Sequence, residues 1–451
     1  MRILFAAMSG VRCQDAELLS RGLTLPGFVE RSKVIASLPS LGLLTLAGMT
    51  DPTRHQRLYR EVPDRAAFAA LPSEVDLVVI SSFSAQIFEA YELADSYRAR
   101  GILVVMGGLH VTSLPDEALA HCDAISIGEG EVTWPQLLAD AEAGTLSRRY
   151  DARGREFDLA QSPMPAFELL DRRKYNRLTV QTSRGCPHRC SFCAGSILLT
   201  PRYKQKPMER VLAEIDRIRE LWPRPFIEFA DDNSFINRPY WQELLPELEK
   251  RDLRWFTETD LSVADDPALL RAIAKAGCRE LLIGLESPVA AGLDGLELRA
   301  NWKLKRQESA LAAVKRIQDH GIRVNGCFIV GLDEHDSSIF AAVANFAQEA
   351  GLYDVQVTLP TPFPGTPFLA QLRREGRLLA DGAWDRCTLF DLLFTPRRMS
   401  PDELTQGFRD LVEKLYSAQA TQRRRAVFNT QLRRWRRREA RLESEVDGVR
   451  K

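Results

Sequence analysis

The chain has 451 residues, of which 45% are hydrophobic and 27% charged, with 61 Lys plus Arg against 61 Asp plus Glu. That is about three times a typical domain of roughly 150 residues, and the mixture excludes a disordered or fibrous polymer. Zero net charge excludes recruitment by an overall field, so no nucleic acid is expected as partner and any basic patch is local.

No run of about 18 apolar residues marks a membrane span. The first residues enter a strand-like run directly instead of a signal sequence, so a cytoplasmic protein is expected.

In chain order, strand-like runs at Arg2 to Ala7 and Asp76 to Ser81 are followed by a helix over Ala85 to Arg100. Further runs at Ile102 to Met106 and Ala124 to Ile127 precede a helix over Trp134 to Glu142. Alternating strands and helices over residues 1–145 predict an α/β, doubly wound, Rossmann-like domain that binds ligands at the carboxyl ends of its strands. The loops there are Ser81 to Gln86, Gly107 to Pro115 and Gly128 to Thr133. Gly128-x-Gly130 lacks the third glycine of a dinucleotide fingerprint, since Thr133 stands in its place.

Turn-rich sequence over 146–166, with Pro163 and Pro165, reads as a linker. From 167 to 368 the rhythm resumes. Strands are expected at Leu178 to Thr182, Phe226 to Phe229, Trp255 to Thr259, Glu280 to Leu285, Arg323 to Val330 and Asp354 to Leu359, with helices between them. Six such units predict a partial (β/α)6 barrel of the TIM type, with its chemistry on strand-end loops. Residues 369–451 read as a mainly helical extension. Its basic stretch, Gln422 to Arg441, is either a solvated helix face or a peripheral contact with anionic membrane lipid, nucleic acid or an acidic partner.

Of eight cysteines, Cys13, Cys122, Cys278, Cys327 and Cys387 are scattered, which argues against a disulfide scaffold. Cys186, Cys190 and Cys193 cluster as C-x3-C-x2-C on the loop after the first barrel strand. Three thiolates on a four-iron cube leave one iron open, where an amine and carboxylate could chelate, whereas electron-transfer clusters are usually closed by four. The alternative is structural zinc held with His188, but His188 lies between two ligands on the same tight loop.

This spacing, with Phe192 inside it, resembles the radical S-adenosylmethionine (SAM) superfamily. The resemblance implies a [4Fe-4S] cluster on Cys186, Cys190 and Cys193. It also implies reductive cleavage of SAM to methionine and a 5'-deoxyadenosyl radical, with an electron donor such as a flavodoxin or ferredoxin. It extends SAM-binding roles to Phe192 and to Asp231 and Asp232 in the segment EFADDN. Similar roles fall to Glu286 and Ser287 after the fourth strand, and to Ile329 and Gly331 at the fifth. The usual Gly-Gly-Glu wording is absent.

The first domain resembles the superfamily branch that carries a cobalamin (B12)-binding domain upstream. This implies cobalamin contacts at Ser82, Gly107, Gly108, His110, Thr112, Gly128 and Glu129. The Asp-x-His-x-x-Gly motif that supplies a cobalt ligand is absent, so cobalamin is held without histidine ligation or the domain only caps the barrel. The tail is similar to the extension of members such as the hopanoid C-methylases. The expected activity is methylation of an unactivated carbon or phosphorus in a small-molecule or lipid substrate. A non-methylating rearrangement, cyclisation or oxidation, and a non-catalytic iron-sulfur or cobalamin sensor, are the alternatives.

Overall fold

The computed structural model describes residues 1–20, 38–195 and 202–449. The chain divides into two compact units, Met1–Pro225 with Thr361–Phe394, and Phe226–Pro360 with Thr395–Lys451.

The first unit is built on a parallel sheet ordered β2-β1-β3-β4-β5-β6. Its strands are β1 (Arg2–Met8), β2 (Gln56–Val62), β3 (Leu77–Ser81), β4 (Leu103–Gly107), β5 (Ala124–Ile127) and β6 (Arg149–Asp151). β1 and β3 are almost wholly apolar because helices cover both faces of a parallel sheet. β1 pairs with β2 on one side and β3 on the other. The order therefore reverses beside β1, where open sheets of this kind bind ligands at their carboxyl edge.

Helix α1 (Leu41–Met49) is capped by Ser40, and α2 (Ile87–Arg98) lays Ile87, Ala90, Leu93 and Ala94 on the core of Leu4, Ile80, Val104 and Ile125. Helix α3 (Gly130–Ala143) starts one turn earlier than its sequence suggests. Segment 361–394 adds Leu369, Trp384, Cys387 and Leu393 to the same core. The unit also holds β7 (Leu178–Val180), a short antiparallel ribbon of Ser183–Arg184 with Lys204–Gln205, and α4 (Met208–Leu221).

Two expectations need correction here. The stretch read as linker contributes β6, which pairs with β5 from Ile125 opposite Arg149. β2 was missed because an edge strand buries few of its side chains, and this one carries Gln56, Arg57, Arg60 and Glu61.

In the second unit, β8 (Phe226–Phe229), β9 (Arg254–Thr259), β10 (Cys278–Glu286), β11 (Arg323–Ile329) and β12 (Asp354–Thr358) are parallel and adjacent in sequence order. Between them run α5 (Arg238–Lys250), α6 (Pro267–Lys275), α7 (Ala310–Gln318) and α8 (Ser338–Glu349). This is the alternation expected of a partial barrel. Asp266 caps α6 by accepting from Ala268 N and Leu269 N, which is why that helix begins at Pro267.

After the short α9 (Pro367–Arg374) of the first unit come α10 (Pro401–Tyr416) and α11 (Ala418–Val449) of the second. Phe428 of α11 packs on Tyr353 with ring centroids 5.1 Å apart, and Trp435 lies against Gly321. The basic stretch is not uniformly solvated: Arg424 is buried and donates to Leu415 O at 2.8 Å, and Arg425 pairs with Asp354 at 3.3 Å. Arg423, Arg433, Arg434, Arg436 and Arg437 are exposed. No helix among the described residues is long and apolar enough to cross a membrane.

Candidate active site

Carboxylates collect at the ends of β8 and β9. Asp231 is buried and accepts from Ser234 Oγ at 2.9 Å, while Asp232 beside it is exposed. Asn233 is tied to β9, donating to Asp260 Oδ2 at 2.8 Å and accepting from Thr259 Oγ1 at 3.2 Å. Burial, with Glu228, Asp232 and Asp231 close by, pushes the Glu258 carboxyl up to about 8. The group thus holds a proton near neutrality and offers the field of several carboxylates to a cation.

β10 ends in a register shift between Gly284 and Glu286, and Glu286 sits at φ 61°, a left-handed conformation costly for a residue with a side chain. Lys303 Nζ donates to Glu286 Oε1 at 2.6 Å and to Gly284 O at 2.9 Å. A Cβ on Gly284 would stand 2.6 Å from Glu286 Oε1, so glycine there leaves room for the pair.

Ser287 Oγ lies 3.0 Å from His335 Nε2, and His335 Nδ1 accepts from Leu332 N at 3.3 Å. The acceptor role of Nδ1 assigns the ring proton to Nε2, which then donates to Ser287. Burial lowers the His335 pKa to about 4, so the ring is neutral. Ile329 is buried, and Gly331, at φ 94°, packs against Leu404.

In the first unit, the cysteine loop leaves the ribbon at Arg184. Cys190 is buried, Cys186 and Cys193 are half-buried, and none of the three is in a disulfide. Cys193 N donates to Cys190 O at 3.0 Å, and Ser191 O accepts from Phe368 N at 3.1 Å, which ties the loop to α9. Phe192 is half-buried. Among the described residues no three His, Cys, Asp or Glu groups are gathered to hold a single ion. A four-iron cube takes each thiolate on a different iron, so its ligands need not meet at one point. Three thiols on one loop are the donor set it requires.

At the carboxyl edge of the first sheet, Gly108 adopts φ 104° and ψ −173°, a region open essentially to glycine alone. Its missing side chain brings bare backbone to the edge beside Ser82. Ser82 Oγ donates to Phe83 O, and Thr112 Oγ1 accepts from Gly128 N at 3.1 Å. Phe83, absent from the sequence-based set, is 52% exposed beside Ser82. Bare backbone with an exposed aromatic ring fits a broad, largely apolar macrocycle.

Two residues expected at cobalamin are also bonded within the protein. His110 is buried, with Nδ1 3.0 Å from Ser84 Oγ and Nε2 3.1 Å from Glu117 Oε1, so both ring nitrogens are engaged inside the protein. Glu129 accepts from Lys204 Nζ at 2.7 Å, Arg184 Nη1 at 2.9 Å and Phe157 N at 2.8 Å. Burial alone would raise the Glu129 pKa, yet these bonds hold it below the usual range. Glu131 accepts from the other arm of Arg184.

A radical SAM superfamily model matches residues 180–347, a B12 binding domain model matches 33–138, and a domain of unknown function matches 366–450. The chain thus carries a radical SAM domain behind a B12-binding domain, the pairing of the superfamily's B12-binding branch. It is 28% identical over 359 residues to the bacteriochlorophyllide d C-12(1)-methyltransferase of Chlorobaculum tepidum, covering 78% of this chain and 77% of that protein. It is 28% identical over 401 residues to the hopanoid C-2 methylase of Rhodopseudomonas palustris, covering 87% and 73%. The fold matches that of the radical S-adenosylmethionine methyltransferase TsrM from Kitasatospora setae with a TM-score of 0.63 at 15% identity, over 90% of this chain and 83% of TsrM.

As a radical SAM enzyme of this branch the chain uses a [4Fe-4S] cluster, SAM and cobalamin. Sequence reasoning missed Lys303, His335, Lys204 and Glu258. Only Glu258, a carboxylate inside a strand, carried a local signal.

Proposed function

We propose that this radical SAM enzyme methylates an unactivated carbon, or a phosphorus, of a small hydrophobic or lipid-like substrate with cobalamin as methyl carrier. The observation that carries the reading is the succession of parts: a Gly-Gly sheet edge in a B12-binding domain, a three-cysteine loop, and a strand-end carboxylate group suited to a cation. The two relatives named above act, by their names, on a bacteriochlorophyllide and a hopanoid. That supports a polycyclic, largely apolar substrate.

When bound, the cluster supplies the electron that cleaves SAM to methionine and an adenosyl radical, and cobalamin supplies the methyl group. In this reading Cys186, Cys190 and Cys193 hold the cluster. Asp231 and Asp232, with Glu258 behind them, bind the methionyl ammonium. Glu286 accepts from the ribose hydroxyls, and Lys303 and the His335-Ser287 pair hold that turn in place. In the first unit Phe192 offers an apolar contact to SAM, and Ser82, Gly107, Gly108, Thr112 and Gly128 meet cobalamin through small side chains and backbone; in the second, Ile329 and Gly331 offer apolar contacts to SAM. A low-potential one-electron donor such as a flavodoxin or ferredoxin completes the system.

The test is anaerobic reconstitution with iron, sulfide and cobalamin, followed by SAM and a reductant. The expected result is 5'-deoxyadenosine, and S-adenosylhomocysteine once a substrate is present, with corrin absorbance retained through gel filtration. Formation of 5'-deoxyadenosine by a protein that retains no corrin would sink the methylation reading and leave a non-methylating radical enzyme.

A further inference from the structure

The Gly128-Glu129-Gly130-Glu131 turn at the end of β5 is bound to the root of the cysteine loop. Arg184, the residue before Gly185-Cys186, spreads its guanidinium over both carboxylates, and Lys204, on the partner strand of the same ribbon, closes on Glu129. All four side chains are largely dehydrated, with exposures of 10% for Glu129, 8% for Glu131, 18% for Arg184 and 14% for Lys204. Two positive and two negative charges balance. A forked guanidinium on two carboxylates fixes direction as well as distance. The Glu129 main chain also follows Gly128, whose N–H reaches Thr112 at the edge assigned to cobalamin.

We propose that Glu129 and Glu131 are positioning residues for the cluster loop, acting through Arg184 and Lys204, and that this ionic clamp joins the cobalamin-binding edge to the cluster-binding loop within one unit. The inference rests on reading Cys186, Cys190 and Cys193 as cluster ligands. With the clamp intact, the loop keeps Cys190 buried before any iron arrives. With one carboxylate neutralised, Arg184 or Lys204 is left charged and dehydrated, and the ribbon moves outward to solvate it.

The experiment uses the full-length, metal-free chain and iodoacetamide, with alkylation at each cysteine followed by mass spectrometry. Cys13, Cys122, Cys278 and Cys387 are buried and report whether the chain stays folded. In Glu129→Gln and Glu131→Gln, Cys190 should react roughly tenfold faster, the scale of losing one charged hydrogen bond that holds a segment closed, while those four stay protected. The reconstituted variants should also lose iron to a chelator faster than wild type. Unchanged protection of Cys190 in both variants overturns the proposal. Should either variant expose the four interior cysteines, Arg184→Lys decides: it keeps the charge but cannot fork across two carboxylates, and wild-type protection of Cys190 there overturns the proposal equally. The underlying cluster assignment fails separately, if Cys186→Ala retains cluster absorbance, because the alkylation readout needs no cluster.

Discussion

The Lys303 ammonium and the Glu286 carboxylate form an ion pair of 2.6 Å whose side chains are only 12% and 10% exposed. Lys303 reaches Glu286 across seventeen residues of chain and bonds the Gly284 carbonyl on the way, so the left-handed turn at Glu286 is held from outside the strand. Lys303→Met leaves a dehydrated carboxylate without its partner, a loss of about 3–5 kcal/mol of stability for a well-buried pair. SAM binding to the reconstituted enzyme should weaken roughly tenfold or more, the worth of a charged hydrogen bond. Urea melts and equilibrium SAM binding check both, and Lys303→Met with Glu286→Gln should recover stability but not binding. Wild-type SAM affinity in Lys303→Met would reduce the lysine to a structural brace.

Glu258 predicts a proton released on SAM binding. Its carboxyl, pushed up to about 8 by burial and by Glu228, Asp232 and Asp231, is mostly protonated at pH 7, and a bound ammonium would favour its ionised form. Calorimetry in buffers of different ionisation enthalpy should therefore show proton release near pH 7, absent in Glu258→Gln. The same shift bears on stability. The native state holds a proton that the unfolded chain loses around 4.5, so the contribution is full below that value and is lost as pH rises through 8. Glu258→Gln should flatten the fall in melting temperature between about pH 4.5 and 8.

His335 gives the opposite slope. Burial lowers its pKa from 6.5 to about 4, so between those values the unfolded chain binds a proton that the native state refuses. Its contribution is present above 6.5 and lost as pH falls through 4. His335→Gln keeps a donor for Ser287 and should remove this acid-side loss. An acid limb identical to wild type would mean that another group carries it.

Much of this architecture is legible in the chain itself because its parallel strands are apolar runs. β5 and β8 fall within the bounds expected from sequence, and the spacing of Cys186, Cys190 and Cys193 points to their chemistry unaided. What stayed hidden depends on partners distant along the chain. Lys204 meets Glu129 across 75 residues and His335 meets Ser287 across 48, and neither has a local pattern that announces the contact. The ionic partners of Glu129 stayed hidden for the same reason. Its glycine-flanked turn looked like ligand-binding backbone, while the cations that occupy its carboxylate lie on the cysteine-loop ribbon. The bonds of His110 stayed hidden because Glu117 and Trp384, which enclose it, come from a neighbouring helix and from segment 361–394.

Gly108 supplies a test that separates the two cofactors. Its φ of 104° with ψ −173° is strained for any residue with a side chain, by about 1–3 kcal/mol, and a Cβ there would lie 3.3 Å from Ser81 Oγ. Gly108→Ala should lower the melting temperature modestly and push a methyl group into the edge assigned to cobalamin. Corrin recovered after gel filtration should fall. Gly108 follows β4 on the sheet edge, whereas the cysteine loop springs from the separate ribbon at Arg184, so the visible absorbance of the reconstituted cluster should remain at its wild-type level. Corrin retention equal to wild type, with the melting temperature lowered as expected, would show that cobalamin does not rest on the Gly107-Gly108 backbone.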